Sequence, residues 1–371
     1  MNLTILAGLV LLVWLGMWLG HAGFWRIDDE SAREPPAVWP SVAAVVPARN
    51  EEAVLGEALR SLLAQEYPGE LRIVVVDDHS EDATAEIARA AGVAVLRAEP
   101  LPAGWAGKVW AMQQGLRYVL AAPDPPDYVL FCDADIAHGS ATLRELISRA
   151  EADGNELTSL MVLLQCRTGS ERLMIPAFVF FFRMLYPFRR VNDPAHGLAA
   201  AAGGTMLVRR EALERIGGLE RIRGAIIDDC ALAREVKRGG HRIWLGMTRT
   251  SRSLRGYGGL AGIVDIVARS AYTQLGHSPA ALVGCVLGLA FAFLAPPALL
   301  LAGGWAAILG GTAWLVMALL YLPMVRYYRA CPLWSAALPI AAIVYLHATL
   351  LSAWRHHRGS GARWKGRMGV R

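Results

Sequence analysis

Short, continuous apolar runs that end in acidic residues recur along the first two thirds of this chain. Ile73–Val76 leads into Asp77-Asp78, Tyr128–Cys132 into Asp133-Ala134-Asp135, and Ala225–Ile227 into Asp228-Asp229. Such runs are typical of strands that are buried on both faces, and the carboxyl ends of parallel strands meet at one crevice of an open α/β sheet. The pattern therefore predicts that these aspartates converge on a single site.

Segments with helical spacing alternate with the apolar runs. We predict strands at 41–46, 71–76, 93–96 and 157–165, and helices after Asn50 and over 82–91 and 140–152. Strands that alternate with helices favour βαβ units. We therefore expect an α/β domain with a Rossmann-like, mostly parallel sheet over residues 41–253, preceded by a polar linker at 23–40.

Uncharged apolar stretches lie on both sides of this domain. Residues 3–19 and 280–325 contain no charged side chain, and a third stretch covers 333–352. A membrane-spanning helix needs about 20 apolar residues. We expect a transmembrane anchor at 1–22, an amphipathic interfacial helix at 254–279, and two or three transmembrane helices over 280–352. The run Phe178–Phe182 fits either a core helix or an interfacial element.

Composition and charge support membrane attachment. Hydrophobic residues make up 54% of the 371 residues, and the formal net charge of +5 is concentrated in a basic tail at 353–371. Such a tail is attracted to anionic lipid, and nucleic-acid binding is not expected because no basic face carries interleaved aromatic residues. The cysteines lack paired or metal-binding spacing, which fits buried thiols in a reducing compartment.

Membrane topology presents a conflict at this stage. An anchor followed by three spans would place the domain and the basic tail on opposite sides, against the positive-inside tendency. A re-entrant break at Pro296-Pro297 would return the tail to the side of the domain.

Four motifs in a fixed order carry a family resemblance. They are Val46-Pro47-Ala48-Arg49-Asn50-Glu51-Glu52, Val76-Asp77-Asp78-His79-Ser80, Asp133-Ala134-Asp135 and Ile227-Asp228-Asp229. As an ordered set over about residues 41–245 they resemble the family 2 inverting glycosyltransferases of the GT-A fold. The membrane segments and the tail motif Trp364-Lys365-Gly366-Arg367 resemble the hopene-associated glycosyltransferases most, and ceramide glucosyltransferase more distantly.

The resemblance implies a role for each motif. It assigns nucleotide-sugar binding to Pro47, Ala48, Asn50, Glu51, Asp77, Asp78, Lys108 and Asp133. Mg²⁺ or Mn²⁺ would be held by Asp135 together with Asp133, whose carboxylates are the hard ligands that these ions prefer. Asp229 would be the general base, supported by Asp228. The acceptor and sugar loop would comprise Gly203, Gly204, Thr205 and Arg269.

Each motif alone also has a structural explanation. Asp78 precedes a helix and suits a cap, and Asp228 with Asp229 suits the start of a helix, where acidic side chains favour the dipole. Gly203 and Gly204 are also ordinary turn residues.

The implied activity is inverting transfer of a sugar from a nucleotide-sugar, with a UDP-sugar as the first candidate, to a lipid hydroxyl at the membrane, in the setting of hopanoid biosynthesis. The protein would be integral to a bacterial inner membrane, with a cytoplasmic catalytic domain. The tryptophan that processive relatives carry is missing near Arg269-Ser270, which favours a single transfer. Three alternatives stay open: a haloacid-dehalogenase-like membrane phosphatase with Asp133 as nucleophile, a polyprenyl-phosphate glycosyltransferase, and a non-catalytic lipid-binding scaffold.

Overall fold

The computed structural model describes residues 2–27, 32–359, 363–364 and 367–368. The chain divides into two compact units. We call Glu30–Gln165, Arg190–Gly256 and Ala362–Arg371 the sheet unit, and Met1–Asp29, Cys166–Arg189 and Tyr257–Gly361 the helical unit. Residues 365–366, which belong to the predicted tail motif, lie outside the described residues.

Eight strands of the sheet unit form one mixed, mostly parallel sheet, which confirms the predicted α/β fold class. The strands are β1 (Val42–Ala48), β2 (Leu71–Asp77), β3 (Ala94–Arg97), β4 (Tyr128–Cys132), β5 (Ile136–Ala137), β6 (Leu157–Leu163), β7 (Thr205–Arg209) and β8 (Ile243–Ser253). Their order is β3-β2-β1-β4-β7-β6-β8-β5. A short antiparallel pair, β9 (Arg363–Trp364) and β10 (Arg367–Met368), lies in the tail.

Fourteen α-helices occur among the described residues. They are α1 (Leu3–Gly20), α2 (Leu55–Leu63), α3 (Thr84–Ala90), α4 (Gly107–Leu120), α5 (Thr142–Asp153), α6 (Gly169–Leu185), α7 (Phe188–Val191), α8 (Arg210–Ile216), α9 (Asp228–Arg238), α10 (Leu260–Gln274), α11 (Pro279–Leu289), α12 (Ala295–Leu299), α13 (Gly304–Tyr327) and α14 (Leu338–His357). A π-helical turn, Ala290–Leu294, joins α11 to α12, and the 3₁₀ helix Pro332–Ala337 precedes α14.

The centre of the sheet is buried on both faces, as the apolar runs predict. Every residue of β1 and β4 is buried, and β1 pairs in parallel with β2 on one side and with β4 on the other. The predicted end of β1 before Pro47 is wrong, because the strand continues to Ala48. Pro47 is tolerated because pairing with β4 has already stopped at Val45, so no ladder bond from its nitrogen is required on that side.

Helix α4 lies close against this sheet because it carries Gly115 at the contact. A Cβ atom at this position would be 2.3 Å from Val45 Cγ1 and 2.9 Å from Val76 Cγ2, distances that no side chain can occupy. The glycine therefore lets the helix backbone approach the sheet, and the same helix places Lys108 in its first turn. Neither α4 nor β7 was among the predicted elements.

The third apolar run does not form a strand. Ala225–Ile227 is irregular and leads directly into α9, whose first two residues are Asp228 and Asp229. The helix-start interpretation of this acidic pair is therefore confirmed, while the strand prediction is wrong because three apolar residues without a neighbouring partner strand carry too little pairing to hold an extended backbone.

The helical unit contains four helical segments that are long and apolar enough to cross a membrane, judged by length and composition: Leu3–Gly20, Pro279–Ala302, Gly304–Tyr327 and Pro332–His357. Helix α6 contains the predicted aromatic run and begins with a capping box between Thr168 and Glu171. Its ring contacts within the unit include Phe180 with Phe24 and Tyr321. Helix α10 covers the central part of the predicted interfacial segment 254–279.

Candidate active site

Lys108 joins the acidic motifs of two distant chain segments. Its Nζ lies 2.8 Å from Asp133 Oδ1, at the end of β4, and 3.0 Å from Asp228 Oδ2, at the start of α9. Burial alone would lower the pKa of Lys108, but the negative charges of Asp133 and Asp228 raise it. The ammonium group therefore keeps its charge. One cation thus holds together carboxylates that would otherwise repel one another.

Asp229 is held in a different environment from its neighbour Asp228. Its Oδ2 accepts a hydrogen bond from the Gly203 N–H at 2.8 Å, and its Oδ1 accepts one from the Cys230 N–H at 2.7 Å. Burial, followed by the negative charge of Asp228, raises the pKa of Asp229 to about 6, although Lys108 opposes this shift. A carboxylate with this pKa is suited to accept a proton near neutral pH.

Gly203 stands where a side chain would press on the charged cluster. A Cβ atom there would lie 3.3 Å from both Asp229 Oδ2 and Lys108 Nζ. The next residue, Gly204, accepts the Asp133 N–H through its carbonyl at 3.4 Å. The glycine pair therefore brings the backbone before β7 into contact with both acidic motifs.

Asp135 belongs to a second charged cluster, which the sequence analysis did not find. Arg255 Nε lies 2.9 Å from Asp135 Oδ2, and its Nη2 pairs with Glu51 Oε2. The segment that carries Arg255 is fixed by backbone bonding, since β5 pairs with β8 and the Leu254 N–H donates to the Asp135 carbonyl at 2.7 Å. The only sequence signal is a basic residue just beyond the predicted domain end at 253, which is too weak to single it out.

The loops after β1 and β2 brace one another. The Asn50 N–H donates to Ser80 Oγ at 3.1 Å, and the Asn50 side-chain oxygen accepts the Glu81 N–H at 2.9 Å. The Glu51 N–H donates to Thr84 Oγ1 at 2.7 Å. Asn50 takes a left-handed conformation with φ of 50°, which asparagine tolerates better than most residues. The predicted nucleotide loop is therefore held in place by hydrogen bonds to the loop after β2.

Asp77 and Asp78 lie at the end of β2 beside this loop. Asp78 is fully buried, its N–H donates to the Ala48 carbonyl at 2.8 Å, and Arg49 Nη1 lies 3.9 Å from its Oδ2. Asp77 accepts the Ser80 N–H at 3.1 Å. Both side chains therefore adjoin the segment that carries Glu51, and through Arg255 this segment is joined to Asp135.

Two members of the predicted acceptor loop have other surroundings. Thr205 is buried in β7 and shares a hydrogen bond of 2.9 Å with His138 Nε2, and burial lowers the pKa of His138 to about 4, so this histidine is neutral. Arg269 belongs to the helical unit, where it is exposed on α10. Its assignment to the acceptor site stays a prediction.

The donor set fits a cation that is shared with phosphate. Asp133 and Asp135 are each paired with a cationic side chain. The positive charge of that side chain takes the place that the charge of a metal ion would have. Throughout the described parts of the chain, no group of three or more His, Cys, Asp or Glu side chains has the arrangement of a metal cage. Mg²⁺ commonly takes only one or two carboxylates and completes its shell with water and substrate phosphate.

Parts of the chain are similar to known glycosyltransferases. Residues 43–217 match the family model described as Glycosyl transferase family 2. The 4,4'-diaponeurosporenoate glycosyltransferase of Staphylococcus haemolyticus is 35% identical over 114 residues, which cover 30% of this chain and 28% of that protein. The enzyme of the same name from Staphylococcus aureus is 30% identical over 129 residues, which cover 34% of this chain and 32% of that protein. The match thus spans about a third of these relatives or less.

A solved structure shares the fold over most of the chain. It is a mannosyltransferase from Pyrobaculum calidifontis in complex with GDP-Man and Mn²⁺, with a TM-score of 0.54 and 20% sequence identity. The likeness covers 93% of this chain and 99% of that one. At this identity the comparison supports the architecture and not the substrate.

Replacing Lys108 with glutamine should destabilise the protein strongly at pH 8, because it leaves the carboxylates of Asp133 and Asp228 without their counter-ion. We expect a loss of about 3–5 kcal/mol in the free energy of unfolding, measured by urea titration of the full chain in detergent. At pH 5 the loss should shrink, because protonated carboxyls need no counter-ion. Burial raises the pKa of Asp133, and burial together with the charge of Asp228 raises the pKa of Asp229 to about 6.

The matched control is Arg238→Gln, which removes an exposed pair with Glu235 at 3.1 Å from the end of α9. This change should cost less than about 1 kcal/mol at either pH. Equal losses in the two variants, or a Lys108→Gln loss that does not depend on pH, would show that Lys108 does not balance buried charge.

Proposed function

We propose that this chain, whose residues 43–217 match the family model described as Glycosyl transferase family 2, is an inverting glycosyltransferase that moves a sugar from a nucleotide-sugar to a lipid hydroxyl. The observation that carries the proposal is Asp229, a half-buried carboxylate fixed by two backbone N–H groups, whose pKa is raised to about 6. It belongs to the same cluster as the Asp-x-Asp motif through Lys108.

The proposed chemistry is a single displacement. Asp229 accepts the proton of the acceptor hydroxyl while that oxygen forms a bond to the anomeric carbon. The bond from the anomeric carbon to the diphosphate oxygen breaks at the same time, and the nucleoside diphosphate leaves with the electron pair. Attack from the face opposite the leaving group inverts the configuration at the anomeric carbon.

The remaining site residues prepare this step. Asp228 and Lys108 keep the Asp229 segment in place, and the hydrogen-bonded loop of Asn50 and Glu51 with Asp77 and Asp78 suits binding of the nucleoside. A divalent cation, Mg²⁺ or Mn²⁺, would be held by Asp135 with Asp133 and would neutralise charge on the departing diphosphate. A mannosyltransferase of the same fold contains Mn²⁺, which supports this assignment.

A lipid acceptor at the membrane completes the proposal. The apolar helices favour an integral membrane protein, which we assign to a bacterial inner membrane with the sheet unit in the cytoplasm, where nucleotide sugars are made. The diaponeurosporenoate glycosyltransferases support a lipid-related acceptor, and a hopanoid is one candidate within that class. The family match favours sugar transfer over the phosphatase alternative.

The test is sugar transfer by the full chain in detergent, supplied with radiolabelled UDP- and GDP-sugars, bacterial lipid extract and Mn²⁺. We expect label in the lipid fraction, and we expect Asp229→Asn to lower the rate by about 10²–10⁴-fold, the usual contribution of a general base. The control Asp193→Asn removes a carboxylate outside this cluster and should leave the rate unchanged. Release of phosphate without labelled lipid would favour the phosphatase, and full activity of Asp229→Asn would refute its role as base.

The transfer rate should depend on pH through Asp229. Because its pKa is raised to about 6, the carboxyl group is protonated below this pH and then has no place for the acceptor proton. The rate should be level between pH 7 and 8 and fall towards tenfold per pH unit below about pH 6. Initial rates at saturating donor, with folding checked by circular dichroism at each pH, measure this, and a level rate down to pH 5 would contradict the assignment.

A further inference from the structure

We infer that Arg255 couples metal binding to diphosphate binding, by holding Asp135 while the donor is absent and giving it up when the donor arrives. The inference rests on the proposed function, because that function gives Asp135 to the metal. It adds a residue that neither the motifs nor the comparisons assign, and it makes Arg255 a positioning residue for the donor complex.

The position of Arg255 is set by the backbone rather than by its own side chain. Ser253 at the end of β8 pairs with Ile136, the residue after Asp135, and the Leu254 N–H donates to the Asp135 carbonyl at 2.7 Å. The Arg255 side chain is 39% exposed, whereas that of Glu51 is 10% exposed. The anchor is therefore fixed while the guanidinium group is open enough to change partners.

The contacts of Arg255 link two functions at one group. Its Nε lies 2.9 Å from Asp135 Oδ2, a carboxylate oxygen of the kind that a metal ion would need. Its Nη2 pairs with Glu51 of the predicted nucleotide loop. A cation bound to Asp135 Oδ2 competes with the Arg255 Nε, because both carry positive charge to the same oxygen. The guanidinium group then has donors to spare, and its planar fork matches phosphate oxygens.

This exchange makes the two ligands help one another. When a metal ion binds without nucleotide, it has to break the contact between Arg255 and Asp135. The guanidinium group then has no new anion to pair with. Nucleotide diphosphate supplies that anion, so it should strengthen metal binding, and by linkage the metal should strengthen nucleotide binding by the same factor. Arg255 thereby keeps the carboxylate paired until the donor is present.

The experiment is a titration of Mn²⁺ into the full chain in detergent, with free Mn²⁺ measured by electron paramagnetic resonance. It is run without nucleotide, with UDP and with GDP. For Arg255→Gln we expect Mn²⁺ alone to bind about fivefold or more tightly than to the unmodified chain, and the strengthening by nucleotide to fall by about the same factor. Arg255→Lys, which keeps the charge, should lie between the two.

The control is Arg252→Gln, since Arg252 lies at the end of β8, three residues before Arg255, and pairs with Glu57 at 2.9 Å, with both side chains about half exposed. It should bind Mn²⁺ as the unmodified chain does. If Arg255→Gln and Arg255→Lys both keep the original affinities, the coupling role is refuted while the proposed function stands. If the unmodified chain binds neither Mn²⁺ nor nucleotide, the proposed function itself fails.

A separate set of contacts concerns membrane topology, and from it we propose that Pro332–His357 enters the membrane and returns to the side it came from. By length and composition this segment is a candidate span. Its contacts inside the helical unit, however, place both of its ends on one side. The molecule would then cross the membrane three times rather than four.

The directions of the other apolar helices follow from their contacts. Ala7 of α1 packs with Leu299 and Ala306, and the Trp14 indole N–H donates to the Ala292 carbonyl at 2.7 Å. Helix α1 therefore runs opposite to the segment from α11 to α12 and in the same direction as α13. The end of α1, the start of α11 and the end of α13 thus share one side, which we call the near side.

Helix α14 also ends on the near side. The His356 ring stacks on His277, just before the start of α11, with centroids 4.2 Å apart, and Ser352 Oγ accepts the Tyr272 N–H at 3.0 Å. Before α14 begins, the Ala336 carbonyl accepts the Trp314 indole N–H at 3.0 Å, deep within α13. After α13 ends on the near side, the chain therefore turns back to the depth of Trp314. It then returns to the near side through α14.

This path removes the topological conflict found in the sequence. Arg326 near the end of α13 and Arg355 and Arg358 at the end of α14 all lie on the near side, as the positive-inside tendency favours. The turning point is the 3₁₀ helix Pro332–Ala337 rather than Pro296-Pro297, which lies within the continuous crossing segment Pro279–Ala302.

Labelling of single cysteines tests the path. In a chain whose five cysteines are replaced by alanine, Trp305→Cys marks the start of α13, Arg326→Cys its end and Gly359→Cys the end of α14. A membrane-impermeant maleimide, applied to intact cells and to inverted vesicles, should label positions 326 and 359 from the same side and 305 from the other. Position 359 labelled together with 305 would refute the re-entrant path. A protease site inserted after Gly359 in the unmodified chain gives the same answer if the cysteine-free chain does not fold.

Discussion

The contact on which the site depends is the one between the Lys108 ammonium group and the carboxylates of Asp133 and Asp228. Like charges repel, and this cation allows the end of β4 and the start of α9 to lie side by side. The surrounding structure serves this contact: Gly115 lets α4 approach the sheet, and Gly203 leaves space beside Lys108 and Asp229. The base role that we propose for Asp229 needs a charge that is opposed but not paired, and this arrangement supplies it.

In the sheet unit, two cationic side chains neutralise the acidic residues of the site. Lys108 is at the centre of one cluster and Arg255 at the centre of the other. Each cation holds one carboxylate of the Asp-x-Asp motif, so both carboxylates have a counter-ion within the protein. A donor complex would bring both positive and negative charge to a site that already balances its own. This balance of charge is the reason why we propose an exchange of partners rather than a simple addition of ligands.

Much of this arrangement could be predicted from the sequence, because buried parallel strands leave a local signature. The apolar runs of β1, β2 and β4 and the acidic residues that follow them needed no long-range information. What failed depended on distant partners. Pro47 remains in β1 because β4 stops pairing earlier, and Ala225–Ile227 lacks a partner strand. Arg255 reaches the site only because β5 pairs with β8, which no local pattern reveals.

The most direct measurement of the central claim is the anomeric configuration of the product. An α-linked nucleotide-sugar would be turned over by the purified chain with lipid acceptor, and the anomeric proton coupling of the glycolipid would be read by NMR. A single displacement assisted by Asp229 predicts a β-linked product. An α-linked product would require two displacements or a different attacking group, and it would contradict the assignment of Asp229 as the base.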